Sequence, residues 1–333
     1  MKHVNVALFV THQGCEHRCS FCNQSTISGS QKRLTASDVK EACEIAIKSG
    51  RTSPTDSEIA FFGGSFTAID EEYMISLLRA AKEYINKGCF KGVRISTRPD
   101  CINEDKLKLL GSYSVSAIEL GAQSMDDGVL SLNERGHTAE DVRKASCLIR
   151  EYGFELGLQM MTGLYGSDCE KDIYTARELI ALKPATVRIY PTVVLENTVL
   201  AKKLRAGEYV PQSVDEAAKL CAKLLIMFEE SGVRVIRLGL HSGGNVEDGY
   251  LAGPYHPAFS ELCYGEIYLH KMLGALKDRD PSKQYVIEVC QTELSKAKGQ
   301  RKRNEKALKN QGYCCIIKGN RFLEKYEITV KEN

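Results

Sequence analysis

The alternation of two kinds of segment constrains the fold of this chain more than any other feature. Short apolar or β-rich runs alternate with longer stretches whose apolar residues recur at helical spacing. The apolar runs cover residues 4–10, 58–62, 92–97, 115–120, 154–160, 186–190 and 233–238. The helical stretches cover residues 37–48, 71–86, 104–110, 139–152, 171–182 and 214–230. This rhythm predicts a parallel sheet with crossover helices, whose ligands bind at the carboxyl ends of the strands.

The pattern changes after about residue 240. A loop rich in glycine and proline leads to a further helical stretch and then to three strand-like runs, at residues 284–289, 313–318 and 322–330. The chain has 333 residues, of which 43% are apolar, and this is enough for one large domain with a small addition. We therefore predict an α/β core over residues 1–240 and a small α+β appendage over residues 241–333.

Charge and cysteine content limit the function classes. The net charge of +2 gives no global electrostatic case for nucleic acid. No apolar run approaches the length of a membrane span, and the first run is too short for a signal peptide. Thirteen cysteines in a chain without a visible signal predict a reducing cytoplasm, where they stay thiols. We expect a cytoplasmic protein with no membrane partner.

A group of three cysteines follows the first apolar run. It reads Gly14-Cys15-Glu16-His17-Arg18-Cys19-Ser20-Phe21-Cys22-Asn23-Gln24, with the spacing Cys-x3-Cys-x2-Cys. Three thiolates on one loop can hold three irons of a 4Fe–4S cluster and leave the fourth iron open. Two alternatives are a zinc site, with His12 or His17 as the fourth ligand, and reduced cysteines without a metal.

A pair of glycines follows the second apolar run, in Phe61-Phe62-Gly63-Gly64-Ser65-Phe66-Thr67. Adjacent glycines let a ligand approach the backbone, whose amide and carbonyl groups can then bind a carboxylate or an ammonium group. Because this turn comes one βα unit after the cysteine loop, we expect both at one ligand site.

The cysteine loop and the Gly-Gly turn resemble the radical S-adenosylmethionine (SAM) superfamily, over about residues 4–240. The resemblance implies a partial (β/α)6 barrel, with Cys15, Cys19 and Cys22 as ligands of one 4Fe–4S cluster. In that family the open iron chelates the methionine end of SAM, and the reduced cluster cleaves SAM to a 5′-deoxyadenosyl radical that abstracts hydrogen from a substrate. The resemblance also implies a flavodoxin or ferredoxin as the reductant.

Three further motifs resemble the branch that contains the Elongator catalytic subunit and the oxygen-independent coproporphyrinogen dehydrogenase. They are Ser96-Thr97-Arg98-Pro99-Asp100, Glu119-Leu120-Gly121-Ala122-Gln123-Ser124 and Leu132-Asn133-Glu134-Arg135-Gly136-His137. The implied SAM contacts are Phe21 near the adenine, Gly63, Gly64 and Ser65 at the methionine amino group, Ser96 at the ribose, Gln123, Arg135 at the carboxylate, and Gln159 at the ribose hydroxyls. Arginine suits a carboxylate because its planar fork binds both oxygens. Gln159 departs from the acid common at its position. As alternatives, Ser96, Gln123 and Gln159 are polar residues at strand ends, and Arg135 is a surface arginine.

The substrate contacts are expected from the later strands and loops. Arg188-Ile189-Tyr190-Pro191 ends the sixth run, and residues 248–257 are dense in aromatic, acidic and imidazole groups. Such a loop can cover a barrel mouth and stack a planar ligand, although an ordered turn rigidified by prolines explains it as well. The substrate-facing candidates are Glu119, Tyr190, Asp248, Tyr250 and His256, with Asp248 or Glu119 paired to a guanine-type edge.

Three departures from the Elongator subunit favour a small planar substrate. The chain begins just before the first strand, shows no acetyltransferase domain after the core, and has a tighter cysteine spacing. Bacterial queuine lyases, which remove the cyclopentenediol of queuine to leave the 7-aminomethyl-7-deazaguanine precursor, belong to a group of this kind. We therefore expect a queuine lyase. The alternatives are a tRNA-modifying enzyme like the Elongator subunit and a non-enzymatic zinc-binding module. The one basic run, residues 296–309, is either a solvated helix face or an RNA contact.

Overall fold

The computed structural model describes residues 4–10, 15, 19–23, 26, 32–50, 52–240 and 246–333. Strands in the first part of the chain are β1 (Val4–Val10), β2 (Ser57–Gly63), β3 (Gly92–Thr97), β4 (Val115–Gln123), β5 (Glu155–Thr162), β6 (Thr186–Pro191), β7 (Val194–Leu195) and β8 (Arg234–Leu238). Seven of them form one parallel sheet in the order β1-β2-β3-β4-β5-β6-β8. Its ends, β1 and β8, do not pair among the described residues, so the sheet is an open half-barrel.

The helices that connect these strands are α1 (Ala36–Lys48), α2 (Glu71–Asn86), α3 (Glu104–Ser112), α4 (Asp127–Leu132), α5 (Ala139–Glu151), α6 (Cys169–Ala181), α7 (Val199–Arg205) and α8 (Val214–Glu230). Three of them begin with a capping box, in which a Ser or Thr hydroxyl and an acidic side chain three residues later satisfy each other's backbone N–H groups. These local signals fix where the helices start after the strand-end loops.

The two faces of the sheet differ sharply in polarity. Ile59, Val93 and Ile118 are fully buried on the face that the helices cover. The alternate residues Glu58 and Arg94 point to the inner face, because side chains alternate along a strand. Helices thus pack on the apolar outer face, and the inner face is polar.

The last part of the chain adds a second, smaller sheet. Its elements are α9 (Val246–Gly249), β9 (Tyr250–Ala252), α10 (Phe259–Leu276), β10 (Gln284–Cys290), α11 (Leu294–Lys298), α12 (Arg303–Asn310), β11 (Cys314–Asn320) and β12 (Ile328–Glu332). The strand order is β11-β10-β12, and β9 pairs with β7. The first half of α10 packs in the core of the half-barrel and its second half in the core of the small sheet.

The predicted α/β fold, a partial barrel with a C-terminal addition, is confirmed. All seven predicted runs of the core form strands of the one parallel sheet, the last of them Arg234–Leu238 beside β6. The last strand starts at Ile328 and not at residue 322, because the Asn320 side chain accepts the Phe322 N–H and turns the chain. No helix in the described part is long and apolar enough to cross a membrane.

Candidate active site

Ser20 anchors the cysteine loop to the half-barrel. It is fully buried, its N–H donates to the Asn133 carbonyl at 3.1 Å, and its hydroxyl donates to Asn133 Oδ1 at 2.7 Å. The Leu200 N–H donates to the Ser20 carbonyl at 2.7 Å. The loop is therefore tied to the end of α4 and the start of α7, which keeps Cys19 and Cys22 beside the carboxyl ends of the strands.

The three cysteines lie on this loop, near enough for their charges to interact, but in the described structure their side chains do not form a metal-binding group. Cys15 is exposed and hydrogen-bonds with the Ser65 backbone, while Cys19 and Cys22 are partly buried. Arg135 Nη1 donates to Cys19 Sγ at 3.0 Å. Burial, followed by the charges of Cys19 and Cys15, raises the pKa of the Cys22 thiol to about 12. Because iron binds thiolates, metal loading must release protons from these side chains.

A glycine leaves room for two polar side chains next to Cys19. Gln123 has a φ of 65° at a bulge in the β4–β5 pairing. A Cβ at Gly121 would lie 3.1 Å from Gln123 Nε2 and 3.4 Å from Arg135 Nη2. Arg135 Nη2 also donates to the Gly121 carbonyl at 2.6 Å, and its Cζ lies 6.0 Å from the centre of the Phe21 ring. The structure thus brings together Phe21, Gln123 and Arg135, three of the predicted SAM contacts.

We call the edge of the half-barrel at the carboxyl ends of the strands the rim. Four buried polar atoms there have no hydrogen-bond partner in the described part of the chain: Arg98 Nη1, Gln123 Oε1, Arg135 Nε and His137 Nδ1. An unpaired buried polar atom costs about 1–3 kcal/mol, and native proteins rarely retain one without a ligand or water. The group combines donors and acceptors, as a ligand with both a carboxylate and hydroxyl or amino groups requires. The residues present therefore fit SAM.

His137 is a neutral member of the rim. Burial, aided by the positive charge of Arg135, lowers its pKa to about 4. At neutral pH the ring is therefore uncharged, and its Nε2 lies 3.2 Å from the Ala122 carbonyl, to which it donates. The Nδ1 lone pair is left as an acceptor that faces no protein donor among the residues described.

The Gly-Gly turn also has a structural role. Gly63 has a φ of 110°, and a Cβ there would lie 2.8 Å from the Val10 carbonyl oxygen. The Gly64 N–H donates to that same oxygen at 2.8 Å. The Ser65 hydroxyl lies 3.0 Å from Thr97 Oγ1 and accepts the Arg98 N–H at 3.2 Å. A methionine amino group here would donate to backbone carbonyl oxygens, because the Gly64 N–H is itself a donor and the Ser65 hydroxyl already accepts the Arg98 N–H.

Below the rim, five charged side chains form a continuous network inside the half-barrel. Arg94 donates to Glu58 at 2.7 Å and to Glu155 at 2.7 Å, and lies 3.4 Å from Glu119. Arg188 donates to both oxygens of Glu119, at 2.6 and 2.9 Å. These groups satisfy one another, and at most a quarter of any of their side chains is exposed.

The network changes the interpretation of four predicted site residues. Glu119, expected at the edge of a substrate base, is held by two arginines. Gln159 Nε2 donates to Glu119 Oε2 at 2.9 Å and to Ser96 Oγ at 3.2 Å, so the two predicted ribose contacts touch each other. Burial raises the pKa of Tyr190, whose hydroxyl hydrogen-bonds with Arg188. These roles stay predictions.

The segment that was expected to cover the mouth lies against the cysteine loop. Asn23, next to Cys22, donates from Nδ2 to the Glu196 carbonyl at 2.8 Å. The Glu196 N–H donates to the Gly249 carbonyl at 2.8 Å, and a Cβ at Gly249 would lie 2.5 Å from Thr26 Cγ2, so the end of α9 touches a residue that follows the cysteines. The late loop is therefore near the candidate cluster site.

Within this segment the predicted substrate residues make local hydrogen bonds. The Tyr250 hydroxyl donates to the Gly253 carbonyl at 2.8 Å, and His256 Nδ1 accepts the Ala258 N–H at 3.0 Å. These contacts are those of an ordered turn, which favours the structural alternative for these two residues. Asp248 is exposed. His12, His17 and residues 243–245 of the predicted loop lie outside the described residues.

Comparison with protein families decides the class. Residues 9–179 match the model of the Radical SAM superfamily. The chain belongs to the radical SAM superfamily. Residues 184–268 match the Radical_SAM C-terminal domain, a match that crosses the predicted boundary at residue 240. This radical SAM enzyme uses a 4Fe–4S cluster and SAM, as the cysteine and glycine motifs predicted.

Several of its relatives are longer proteins. The chain is 32% identical over 179 residues to the tRNA uridine(34) acetyltransferase of Dehalococcoides mccartyi, covering 47% of this chain and 39% of that protein. It is 28% identical over 190 residues to human Elongator complex protein 3 (51% of this chain, 35% of that protein). The chain thus spans well under half the length of these relatives. The structure of Methanocaldococcus infernus Elp3 lacking residues 1–46 shares the fold, with a TM-score of 0.66 at 23% identity over 82% of this chain and 64% of that one.

Three residues of this radical SAM site were missed by the sequence analysis. Asn133 holds Ser20, and Arg98 and His137 carry unpartnered atoms at the rim. All three lie in the motifs that carried the family resemblance. Their burial and contacts depend on residues far away in sequence, so the motifs alone gave no signal for their roles.

Proposed function

We propose that this chain is a radical SAM enzyme that modifies tRNA. One observation supports this most: the 32%-identical relative is named for a reaction at uridine 34 of tRNA. Because residues 9–179 match the model of the Radical SAM superfamily, the reaction we propose for this chain is the radical step. A tRNA substrate replaces the small-molecule substrate as the first choice.

In this proposal, different residues at the rim bind the cluster and SAM. Cys15, Cys19 and Cys22 hold the cluster. Arg135 pairs with the SAM carboxylate through its free Nε, and its Nη1 places positive charge 3.0 Å from Cys19 Sγ. Gln123 offers its unpartnered Oε1 to a donor on SAM. When bound, the two cofactors would supply the radical chemistry for hydrogen abstraction from the substrate.

The remaining predicted contacts have supporting roles. Ser96 and Gln159 present a hydroxyl and an amide to the SAM ribose, and the Glu119–Arg188 pair forms the floor of the substrate chamber. Arg188 Cζ lies 4.8 Å from the centre of the Phe62 ring, a cation–π contact that helps to hold the guanidinium in place. A flavodoxin or ferredoxin supplies the electron.

Queuine lyase is the second candidate, favoured by an aromatic and acidic group near the cysteine loop. The Tyr250 and Tyr255 rings lie 5.8 Å apart, and the Tyr255 hydroxyl donates to Glu247 at 3.3 Å. Aromatic rings stack on a planar base, and a carboxylate such as that of Asp248 can accept two N–H groups from a guanine-type edge. Glu119 is less suited to this role, since both of its oxygens already accept hydrogen bonds.

One assay separates the two candidates. Anaerobically reconstituted, reduced protein is incubated with SAM and with either bulk tRNA or queuine, and 5′-deoxyadenosine is measured. We expect tRNA to stimulate its formation, and the same tRNA digested with ribonuclease to be the inactive control. Stimulation by queuine alone would reject the tRNA proposal and favour the lyase.

A further inference from the structure

Positive charge is concentrated in one segment of the C-terminal addition. We call residues 296–309 the basic segment. It contains seven Lys or Arg residues and one acid, Glu305, and so carries a charge of +6. The whole chain carries +2, which leaves the other 319 residues at −4. Such a concentration of positive charge is typical of a surface that binds an anionic partner, and the small net charge of the whole chain does not reveal it.

Part of this charge is left without a counter-charge. Arg301, Lys306 and Lys309 are exposed and make no ion pair within the described ranges. Arg303 by contrast is bound to Asp215 at 2.9 Å and to Glu266 at 3.1 Å. One arginine therefore fixes the segment to the protein, and its exposed neighbours stay available.

The backbone of the basic segment is held in a costly conformation. Arg301 and Lys302 are consecutive residues with φ values of 52° and 60°. A left-handed conformation costs a non-glycine residue about 1–2 kcal/mol, so something must hold it. Asn304, which is 1% exposed, donates from Nδ2 to the carbonyls of Gly265 at 2.8 Å and Ala297 at 3.0 Å. The loop is thus fixed in the shape that projects its cations.

A chain of contacts places this segment at the active-site end of the half-barrel. Asp215, the partner of Arg303, lies in the first turn of α8. Just before that helix, Gln212 packs against Gly163, where a Cβ would lie 2.7 Å from Gln212 Oε1. Gly163 directly follows the carboxyl end of β5. The basic segment and the cysteine loop therefore lie at the same end of the sheet.

We propose that the basic segment is a docking surface for the phosphate backbone of tRNA, an inference that rests on the proposed tRNA substrate. Its exposed cations meet the requirement for phosphate contacts, which position a nucleic acid without reading its sequence. The position beside the strand ends lets a bound tRNA present one nucleotide to the mouth. An acidic protein, such as a flavodoxin, is the competing occupant.

The test compares two charge reversals of equal size. In the R301E/K306E double variant the docking surface changes sign. In the K48E/K183E control the same charge is introduced at exposed positions that precede β2 and β6, at the opposite end of the sheet. Filter binding of bulk tRNA to the reconstituted full chain is measured between about 50 and 200 mM salt. Substrate-free SAM cleavage and the melting temperature are measured for both.

We expect R301E/K306E to bind tRNA at least about tenfold more weakly and to reduce the slope of log K against log salt by about 2, one for each lost phosphate contact. The control should change affinity by less than about twofold, and both variants should keep substrate-free SAM cleavage. Equal weakening in both variants, or none in either, would overturn the docking surface. So would unchanged tRNA affinity with loss of flavodoxin-driven reduction. If wild-type protein neither binds tRNA nor is stimulated by it, but responds to queuine, the tRNA function itself fails.

Discussion

Two polar layers inside the half-barrel are equally buried but differ in how their groups are satisfied. In the lower layer Arg94, 1% exposed, is paired with three carboxylates. At the rim Arg135, 6% exposed, makes two hydrogen bonds and leaves Nε without a partner in the described structure. Burial alone would treat both arginines alike. From this difference we propose that the lower layer is scaffold and that the rim binds a ligand.

The largest effect should come from the cysteines at the rim. Changing Cys15, Cys19 or Cys22 to Ala should abolish SAM cleavage and lower the iron content of anaerobically reconstituted protein, because three thiolates are the fewest that hold a cluster with one open iron. Cys147→Ala, at an exposed position on α5, is the matched control and should retain both. Full iron content in any one of the three variants would remove that cysteine from the ligand set.

The lower layer should respond in stability. Arg94→Met leaves three carboxylates without their shared partner, and breaking a buried ion pair costs about 3–5 kcal/mol. We expect that loss in the free energy of unfolding, measured by denaturant titration. Arg143→Met, which breaks a surface pair with Glu178, is the control and should cost less than about 1 kcal/mol. Similar costs in both variants would show that the network is not a scaffold.

The same contrast between the two layers explains which parts of the structure could be predicted from the sequence. The strands and helices follow from local periodicity, and β4 was predicted over residues 115–120. Its continuation to Gln123 was not, because a left-handed residue at a bulge leaves no periodic signal. Glu119 was expected to face a substrate, but its partners Arg94 and Arg188 lie 25 and 69 residues away. Inner-face pairing of this kind depends on the sheet register, which the sequence pattern does not contain.

The predictions at the rim have a different origin from those in the lower layer. Gln123 and Arg135 came from motifs that resemble a family, and the structure places them together beside Cys19 and Phe21. The Gly121 carbonyl and the missing Cβ at that position explain how they fit. His137 belongs to the same motif, yet its buried, neutral state depends on the fold around it.

His137 gives the rim a pH signature. Its pKa of about 4 in the native protein lies below the ordinary value of about 6.5. Between these two pH values the His137 ring is protonated in the unfolded chain but not in the native protein. Stability should therefore fall as the pH drops from about 6.5 towards 4, by up to about 3 kcal/mol from this residue. His137→Gln should remove that part of the loss, measured by urea unfolding of metal-free protein. His270→Gln, at an exposed position on α10, should leave it unchanged. If both profiles match wild type, His137 is not the group that titrates.

Substitution of Arg135 should have the smallest effect of the four, and it tests the difference between the rim and the lower layer most directly. Arg135→Gln removes a charged donor that has an unpaired atom, so SAM affinity should fall about 10- to 100-fold, the equivalent of a charged hydrogen bond worth about 1.5–3 kcal/mol. Arg135→Lys keeps the charge without the planar fork and should recover only part of the affinity. Equilibrium binding of SAM to reconstituted protein measures both. The free energy of unfolding should change by less than in Arg94→Met, since no carboxylate loses its partner. If Arg135→Gln instead loses stability with unchanged SAM affinity, Arg135 is part of the scaffold, and an unpaired buried atom is not a reliable sign of a ligand site in this half-barrel.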